Sequence, residues 1–145
     1  MRRSDKCGKK MLKAVLDTNV WISSFFGGHP RRIVELWADG KIMICLTPAI
    51  FDEYTAVMTR MGFARSPRYR EYLALIAEGD NILFTARTPD IHVVGDEPDD
   101  DKFIECAVAL ECNYIVSGDK HLLQLQRYLH IPIVSPKAFL DILSE

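Results

Sequence analysis

Residues 12–20 read LKAVLDTNV, a short apolar run that stops at a carboxylate. The run from Leu12 to Leu16 has the length and composition of a buried β-strand. Asp17 follows it directly, and Val20 to Phe26 then has the pattern of a helix that ends at two glycines. Asp17 is therefore expected at the carboxyl end of a strand, which is where α/β proteins place their active sites.

The rest of the chain alternates between short apolar runs and amphipathic segments. The apolar runs predict further strands at residues 42–46, 82–85, 91–94, 114–116 and 131–134. Apolar side chains at helical spacing predict helices that start near residues 29, 48, 69, 103, 120 and 136. Continuous apolar strands alternating with helices indicate a mostly parallel sheet covered by helices on both faces, an α/β/α sandwich.

Composition bounds the possible functions. The chain has 145 residues, 48% of them hydrophobic, which suits one domain with a real core. The formal net charge of −2 disfavours passive coating of nucleic acid but allows local contact with RNA. No segment approaches the roughly 18 consecutive apolar residues of a membrane helix, so no membrane contact is expected.

The N-terminus and the cysteines bear on location. Residues 1–10 are basic, and no apolar segment of a secretory signal follows them. We therefore expect a flexible tail ahead of a single domain over residues 11–145. The four cysteines form no CxxC pair and no zinc-type spacing with histidine. This usage is typical of a reducing compartment, which predicts a cytoplasmic protein.

Carboxylates follow two of the predicted strands. Asp17 ends the first strand, and Asp119 follows the strand at residues 114–116 across the turn Ser117-Gly118. In a parallel sheet both acids lie at the same edge, where they repel each other unless a positive group lies between them. A hard divalent cation is the obvious candidate, because Mg²⁺ and Mn²⁺ prefer carboxylate oxygens and water.

Glu53 lies on the apolar stripe of its predicted helix. The stripe is formed by Ile50, Tyr54 and Val57 at helical spacing. A carboxylate on a buried face is costly unless it is paired or bound to metal. The alternative is that Glu53 lies at the border of the stripe and reaches water.

An acidic run precedes the helix that starts near residue 103. Five acids occur within residues 96–101, more than capping and the helix dipole require. They indicate either a cation site or a solvated acidic loop. We select Asp101 because the apolar helix follows it as Asp-x-x-Ile. The letters leave open that Asp99 or Asp100 binds a second metal or caps the helix.

Four ordered motifs resemble those of the PIN-domain family. They are VLDTNV at residues 15–20, IFDEY at 50–54, DKFIECA at 101–107 and IVSGD at 115–119. The motifs occur in the family's order, and their span covers nearly all of residues 12–134. Within the family, the chain is most similar to VapC-type toxins of bacterial toxin–antitoxin pairs.

The resemblance implies a PIN-like three-layer sandwich and a metal-dependent endoribonuclease. Asp17, Glu53, Asp101 and Asp119 would be the catalytic residues and would hold one or two Mg²⁺ or Mn²⁺ ions. The ions would activate water for in-line attack on an RNA phosphodiester. The resemblance also implies a small cognate antitoxin as partner and a possible homodimer.

Supporting roles fall to polar residues near these acids. Asn19 would orient Asp17 or a water, and Ser117 would support Asp119 or a phosphate oxygen. Either could equally be a turn residue that bonds its own backbone. The basic residues Arg60, Arg65, Arg68 and Arg70 surround Tyr69. They could form a phosphate-binding edge with a stacking residue, or a solvated surface with Tyr69 in the core.

Three other functions compete with this one. A receiver-like signalling domain also binds Mg²⁺ at strand ends, but it needs an Asp after a central strand, where this chain has Cys45-Leu46-Thr47. A haloacid-dehalogenase-like phosphatase needs Asp-x-Asp after its first strand, and Asn19 occupies the second position. A catalytically silent PIN domain that binds RNA or protein is disfavoured by the presence of all four acids.

Overall fold

A six-stranded sheet forms the centre of the protein, seen in a computed structural model that describes residues 11–95 and 97–145. The strands are β1 (Lys13–Leu16), β2 (Met43–Leu46), β3 (Ile82–Phe84), β4 (Tyr114–Val116), β5 (Arg127–Tyr128) and β6 (Ile131–Val134). Their order is β3-β2-β1-β4-β6-β5, and all neighbours are parallel except β5, which runs antiparallel to β6. The predicted mostly parallel sheet is confirmed.

Helices cover the sheet and complete the predicted α/β/α sandwich. They are α1 (Thr18–Ser23), α2 (Gly28–Ala38), α3 (Pro48–Arg60), α4 (Pro67–Glu78), α5 (Asp101–Ala109), α6 (Lys120–Leu125) and α7 (Pro136–Leu143). Three of them begin with a proline preceded by a hydroxyl residue that accepts a backbone N–H, namely Thr47, Ser66 and Ser135. This pairing favours a helix start, because the first helical N–H has no partner within the helix. Proline, which lacks an N–H, loses no hydrogen bond at that position.

Aromatic side chains in the core pack α1 and α3 against the end of β1. Trp21 of α1 stacks on Tyr54 of α3, with ring centroids 4.9 Å apart and planes at 4°. The buried Tyr54 hydroxyl donates to the carbonyl of Leu16, the last residue of β1. Burial therefore locks α1 and α3 in place beside the residue that follows β1, which is Asp17.

The strand order reverses at the centre of the sheet. From β1 the chain moves outward through β2 to β3, and it then returns to the other side of β1 for β4 and β6. Right-handed crossovers place the helices of the two directions on opposite faces, which opens a crevice where the order reverses. The carboxyl ends of β1 and β4 flank this crevice.

Two local predictions were wrong. The predicted strand at residues 91–94 is an irregular segment, because its backbone N–H groups donate to side chains of α5 instead of to a neighbouring strand. The two-residue strand β5 was missed because Arg127-Tyr128 is too short to produce a pattern. The predicted tail at residues 1–10 lies outside the described residues.

The longest helix that the structure describes, α3, has 13 residues. Within residues 11–95 and 97–145, no helix has both the length and the apolar character needed to cross a membrane. Cys45, Cys106 and Cys112 are buried free thiols in the core.

Candidate acidic active site

Asp17 is fixed by both of its carboxylate oxygens. Oδ1 accepts the backbone N–H of Val20 at 2.8 Å and so caps α1, while Oδ2 accepts the hydroxyl of Ser117. The backbone N–H of Asp17 donates to the carbonyl of Val116 at 3.0 Å, which continues the pairing of β1 with β4. Asp17 is thus a buried carboxylate between the ends of the two central strands.

Asp119 is positioned by the same serine. The Ser117 side-chain oxygen accepts the backbone N–H of Asp119 at 2.9 Å, so one fully buried hydroxyl contacts both acids. Asp119 caps α6 by accepting the N–H of His121 at 2.7 Å, and its Oδ1 lies 3.2 Å from the His121 ring Nδ1. Capping explains one oxygen of Asp119 and leaves the other available to a ligand.

Glu53 lies between a hydroxyl and an ammonium group. The Thr18 hydroxyl donates to Oε2, and Nζ of Lys102 lies 2.6 Å from Oε1. The Lys102 side chain is only 15% exposed, and its Nζ also donates to the carbonyl of Asp99. The cost of placing Glu53 on the apolar stripe is offset by this ion pair.

Asp100 belongs to the same acidic surface. It ends a single 3₁₀ turn, Pro98–Asp100, directly before α5. Its Oδ2 is buried and has no hydrogen-bond partner among residues 11–95 and 97–145. Burial raises the pKa of Asp100 to about 6, and the charges of Asp119 and Asp17 add to this effect. Burial likewise raises the pKa of Asp17, against hydrogen bonds from Ser117 and Val20 that lower it.

Asp101 faces the other way. Its Oδ1 accepts the backbone N–H groups of Val93 and Val94 at 3.0 and 2.9 Å, and the side chain is buried. The structure therefore places Asp100 on the acidic surface where the sequence analysis expected Asp101. The reason is local, since the 3₁₀ turn running into α5 points successive side chains in different directions. Asp99 and Asp101 line a separate pocket.

The acids share one open pocket of about 370 Å³. Its lining consists of Asp17, Thr18, Asn19, Glu53, Ala56, Val57, Arg60, Asp100, Phe103 and Asp119. Of the four arginines named from the sequence, only Arg60 belongs to this lining. Arg68 instead donates to the Tyr72 hydroxyl at 3.2 Å, and Tyr69 is only 4% exposed, so it lies in the core and cannot stack on a ligand.

Sequence reasoning missed two residues of the site. Thr18 stands inside the quoted Asp-Thr-Asn motif, and Lys102 directly follows the acidic run. Their partner Glu53 lies 35 positions from Thr18 and belongs to another helix. A lysine directly after several acids was the available signal, but nothing in the local sequence shows that its ammonium pairs with Glu53 of another helix.

The donor chemistry of the pocket fits a hard divalent cation. Four carboxylates line it, one of them carries a buried oxygen without a partner, and two have a raised pKa because of burial and mutual repulsion. Within the described part of the chain, however, no three His, Cys, Asp or Glu side chains are positioned to hold one ion as they stand. Asp17 and Glu53 are engaged with Ser117, Thr18 and Lys102 instead.

Comparison with known proteins gives two matches. A family model described as PIN domain matches residues 13–121. An uncharacterized protein of Methanocaldococcus jannaschii is 31% identical over an alignment 156 positions long, which covers 94% of this chain and 95% of that protein. No solved structure gives a significant match.

Asp101 should matter for stability. Replacing it with alanine leaves the N–H groups of Val93 and Val94 without their acceptor, so Asp101→Ala should lose about 1–3 kcal/mol of unfolding free energy. Urea unfolding in the presence of a chelator measures this loss. The exposed Asp99, two positions earlier, is the control, and Asp99→Ala should change stability by less than about 0.5 kcal/mol. Equal effects of the two variants would contradict the assignment.

Asp100 should give the opposite result with a pH signature. Because its folded-state pKa is raised to about 6 from 3.8, its ionisation opposes folding as pH rises through that interval. Asp100→Asn cannot ionise, so in chelator its stability advantage over the parent protein should grow as pH rises from 3.8 to about 6 and stay constant above that. Unfolding curves at a series of pH values measure the difference, with Asp99→Asn as control. A difference independent of pH would contradict the raised pKa.

Proposed function

The chain belongs to the PIN-domain family, whose members are generally nucleases, and on that premise we propose that it is a Mg²⁺- or Mn²⁺-dependent endoribonuclease. The observation that carries the proposal is the pocket into which Asp17, Glu53, Asp100 and Asp119 converge, at the carboxyl ends of β1 and β4. These acids come from four separate chain segments, and capping accounts for only part of their oxygens.

Asp17, Asp100 and Asp119 are the proposed metal ligands, with Glu53 beside them. Asp100 takes the place first given to Asp101, because Asp101 uses its carboxylate to hold the segment at residues 93–94. A bound Mg²⁺ or Mn²⁺ would lower the pKa of water and neutralise charge that develops on the phosphate. The Asp100 oxygen, which has no partner among the described residues, and the shared repulsion of the acids support this ligand set.

The other residues of the pocket orient these acids and meet the substrate. Ser117 fixes Asp17 and Asp119 relative to each other, and Thr18 fixes Glu53. Arg60 is exposed on the pocket wall, where its guanidinium can bind a phosphate that the acids alone would repel. The exposed Asn19 lies on the same wall and can donate to a substrate oxygen.

Lys102 sets the charge of the pocket in the metal-free protein. Its ammonium pairs with Glu53 at 2.6 Å and lowers the pKa of Asp100 against the larger effect of burial. A positive charge held so close to the acids competes with any cation that approaches them. We therefore propose that Lys102 moderates metal affinity while it stabilises the metal-free state.

The biological setting is proposed from the likeness to VapC-type toxins. On that basis the protein is the toxin of a toxin–antitoxin pair that acts in the cytoplasm, is neutralised by a small cognate antitoxin and forms a homodimer. Its four motifs support this setting, and a gene for a short DNA-binding protein beside its own gene would support it further. Toxicity on expression, relieved by co-expression of that neighbour, is the matching test.

Cleavage of RNA should depend on metal and on Asp17. The purified protein should cleave single-stranded RNA with Mn²⁺ and not with EDTA. Asp17→Asn keeps a side-chain oxygen that can cap α1 and should therefore fold, yet it should lose at least about 100-fold in rate, since loss of even a supporting group at a metal site costs about 10–100-fold. The surface variant Asp141→Asn is the matched control. Equal rates for Asp17→Asn and the parent would refute the nuclease site.

Removal of the Lys102 charge should tighten metal binding. Lys102→Gln should bind Mn²⁺ several-fold more tightly, about 1 kcal/mol, because one competing charge near the acids is lost. Titration calorimetry measures the affinity, and urea unfolding in chelator should show a less stable metal-free protein. Lys137→Gln, which removes an exposed ion pair with Asp141, should change neither quantity appreciably. Unchanged or weaker Mn²⁺ binding by Lys102→Gln would contradict the proposed competition.

A further inference from the structure

Phe26 is a solvent-exposed aromatic side chain just beyond α1, the helix whose first two residues line the acidic pocket. It is 66% exposed, which is unusual for a phenylalanine in a protein with so large a buried aromatic core. Its ring is not free to collapse, because it packs edge-on against Phe63 with centroids 5.5 Å apart and planes at 79°. Phe63 in turn contacts Phe25, whose ring centroid is 5.9 Å away. The exposed ring is therefore supported from beneath by the core.

The position of Phe26 is tied to the pocket through α1. Only two residues of α1 are exposed, Asn19 and Ser23, and Asn19 is part of the pocket lining. Phe26 follows Asn19 by seven residues, and the turn after α1 continues with Phe26 N–H donating to the Ser23 carbonyl at 2.9 Å. The rise of a helix places Ser23, the last residue of α1, roughly 6 Å from Asn19 along the axis, and Phe26 follows in the next turn.

The end of α3 brings a basic residue to the same place. Arg60, the last residue of α3, lies on the pocket wall. Gly62 then adopts a φ of 84°, which favours glycine, and Phe63 turns back so that its N–H donates to the carbonyl of Met58 at 2.9 Å. Arg60 thus lies three residues from the ring that supports Phe26. Met61, between them, is 46% exposed and adds apolar surface.

From this juxtaposition we propose that Phe26, backed by Phe63, is a stacking platform for an unpaired base of the RNA whose backbone crosses the acidic pocket. The inference rests on the proposed function and assigns the conformation of its substrate. Arg60 would hold a phosphate next to the acids, and the following base would lie on Phe26. Between Asn19 and Phe26 the exposed residue Ser23 is uncharged, so an anionic strand leaving the pocket meets no further carboxylate on α1.

Stacking on Phe26 requires a base that is free of its complement. A duplex keeps its bases inside and offers only backbone, whereas an unpaired nucleotide can place its π-face on an aromatic ring. The platform therefore selects single-stranded RNA, or a loop, over a duplex of the same sequence. It does not read the identity of the base, since every base has such a face.

Phe84 provides a matched control. It is 54% exposed, similar to Phe26, but it lies on β3, the edge strand two positions from β1. It lines a separate apolar pocket with Phe51, Leu73 and Ile82. Phe26→Ala and Phe84→Ala remove equivalent exposed rings, but of the two only Phe26 packs on Phe63, three residues after Arg60.

The experiment measures RNA binding separately from cleavage. Each alanine variant is combined with Asp17→Asn, so that a fluorescein-labelled single-stranded oligoribonucleotide of mixed sequence stays intact, and its Kd is measured by fluorescence anisotropy. Phe26→Ala should weaken binding about tenfold, the loss of one stacked base, while Phe84→Ala leaves it unchanged. Phe26→Trp should restore or tighten binding. The preference for single strand over duplex should shrink in Phe26→Ala.

Oligonucleotides with one abasic nucleotide locate the base. In the Asp17→Asn protein with Phe26 intact, removing the base that stacks should cost the same factor as Phe26→Ala, and it should cost nothing further in the Phe26→Ala double variant. Equal affinity of the Phe26→Ala and parent proteins for the single strand would overturn the platform and assign the patch to a protein partner. That result is distinct from failure of the proposed function, in which the protein with an intact Phe26 neither binds nor cleaves RNA.

Discussion

Carboxylates crowded around the Ser117 hydroxyl are the constraint on which the rest of the structure depends. The two central strands end side by side, so Asp17 and the Ser117-Gly118-Asp119 turn must share one small space. Serine resolves part of the conflict by donating to one acid and accepting from the backbone of the other. It cannot remove the negative charge, and burial of Asp17 raises its pKa. Lys102, paired with Glu53, compensates part of this charge. A cation between the acids would compensate the rest.

The same elements that satisfy helix ends also build the site. Asp17 and Asp119 cap α1 and α6, so each is held by a backbone bond that a purely structural cap would also make. What separates them from ordinary caps is convergence. Helix starts at the carboxyl ends of adjacent parallel strands point their first turns at a common crevice, and a capping carboxylate there faces its neighbour. Under the proposed function, helix capping and metal binding are two uses of the same side chains.

The sequence predicted the sheet and the two strand-end acids because both follow from local patterns. Apolar runs of four or five residues predict strands, and a carboxylate directly after such a run must lie at the carboxyl end of its strand. The fourth acid could not be assigned in this way. Asp99, Asp100 and Asp101 differ only in how one 3₁₀ turn enters α5, and the turn is set by the segment at residues 93–94, whose N–H groups Asp101 accepts. The apolar composition of that segment predicted a strand, so nothing in the sequence indicated its hydrogen bonds to Asp101 of α5.

Which aromatic side chains are exposed also could not be predicted from the sequence. Tyr69 and Phe26 both stand near basic residues or glycines in the chain, yet the first is buried against Phe25 and the second points to solvent. The difference arises from the return of the chain at Gly62, which fills the space beneath Phe26 with Phe63. The contact between Phe26 and Phe63 joins segments almost 40 residues apart. The spacing of apolar residues within either segment cannot predict it.

The most direct measurement is a crystal structure of the protein with Mn²⁺, with anomalous scattering recorded on both sides of the manganese absorption edge. The account predicts an anomalous peak contacted by oxygens of Asp17, Asp100 and Asp119, with the carboxylate of Asp101 still bonded to the backbone of residues 93–94. Absence of a peak in this pocket at saturating Mn²⁺, or a peak bound by Asp99 and Asp101 on the neighbouring surface instead, would contradict it.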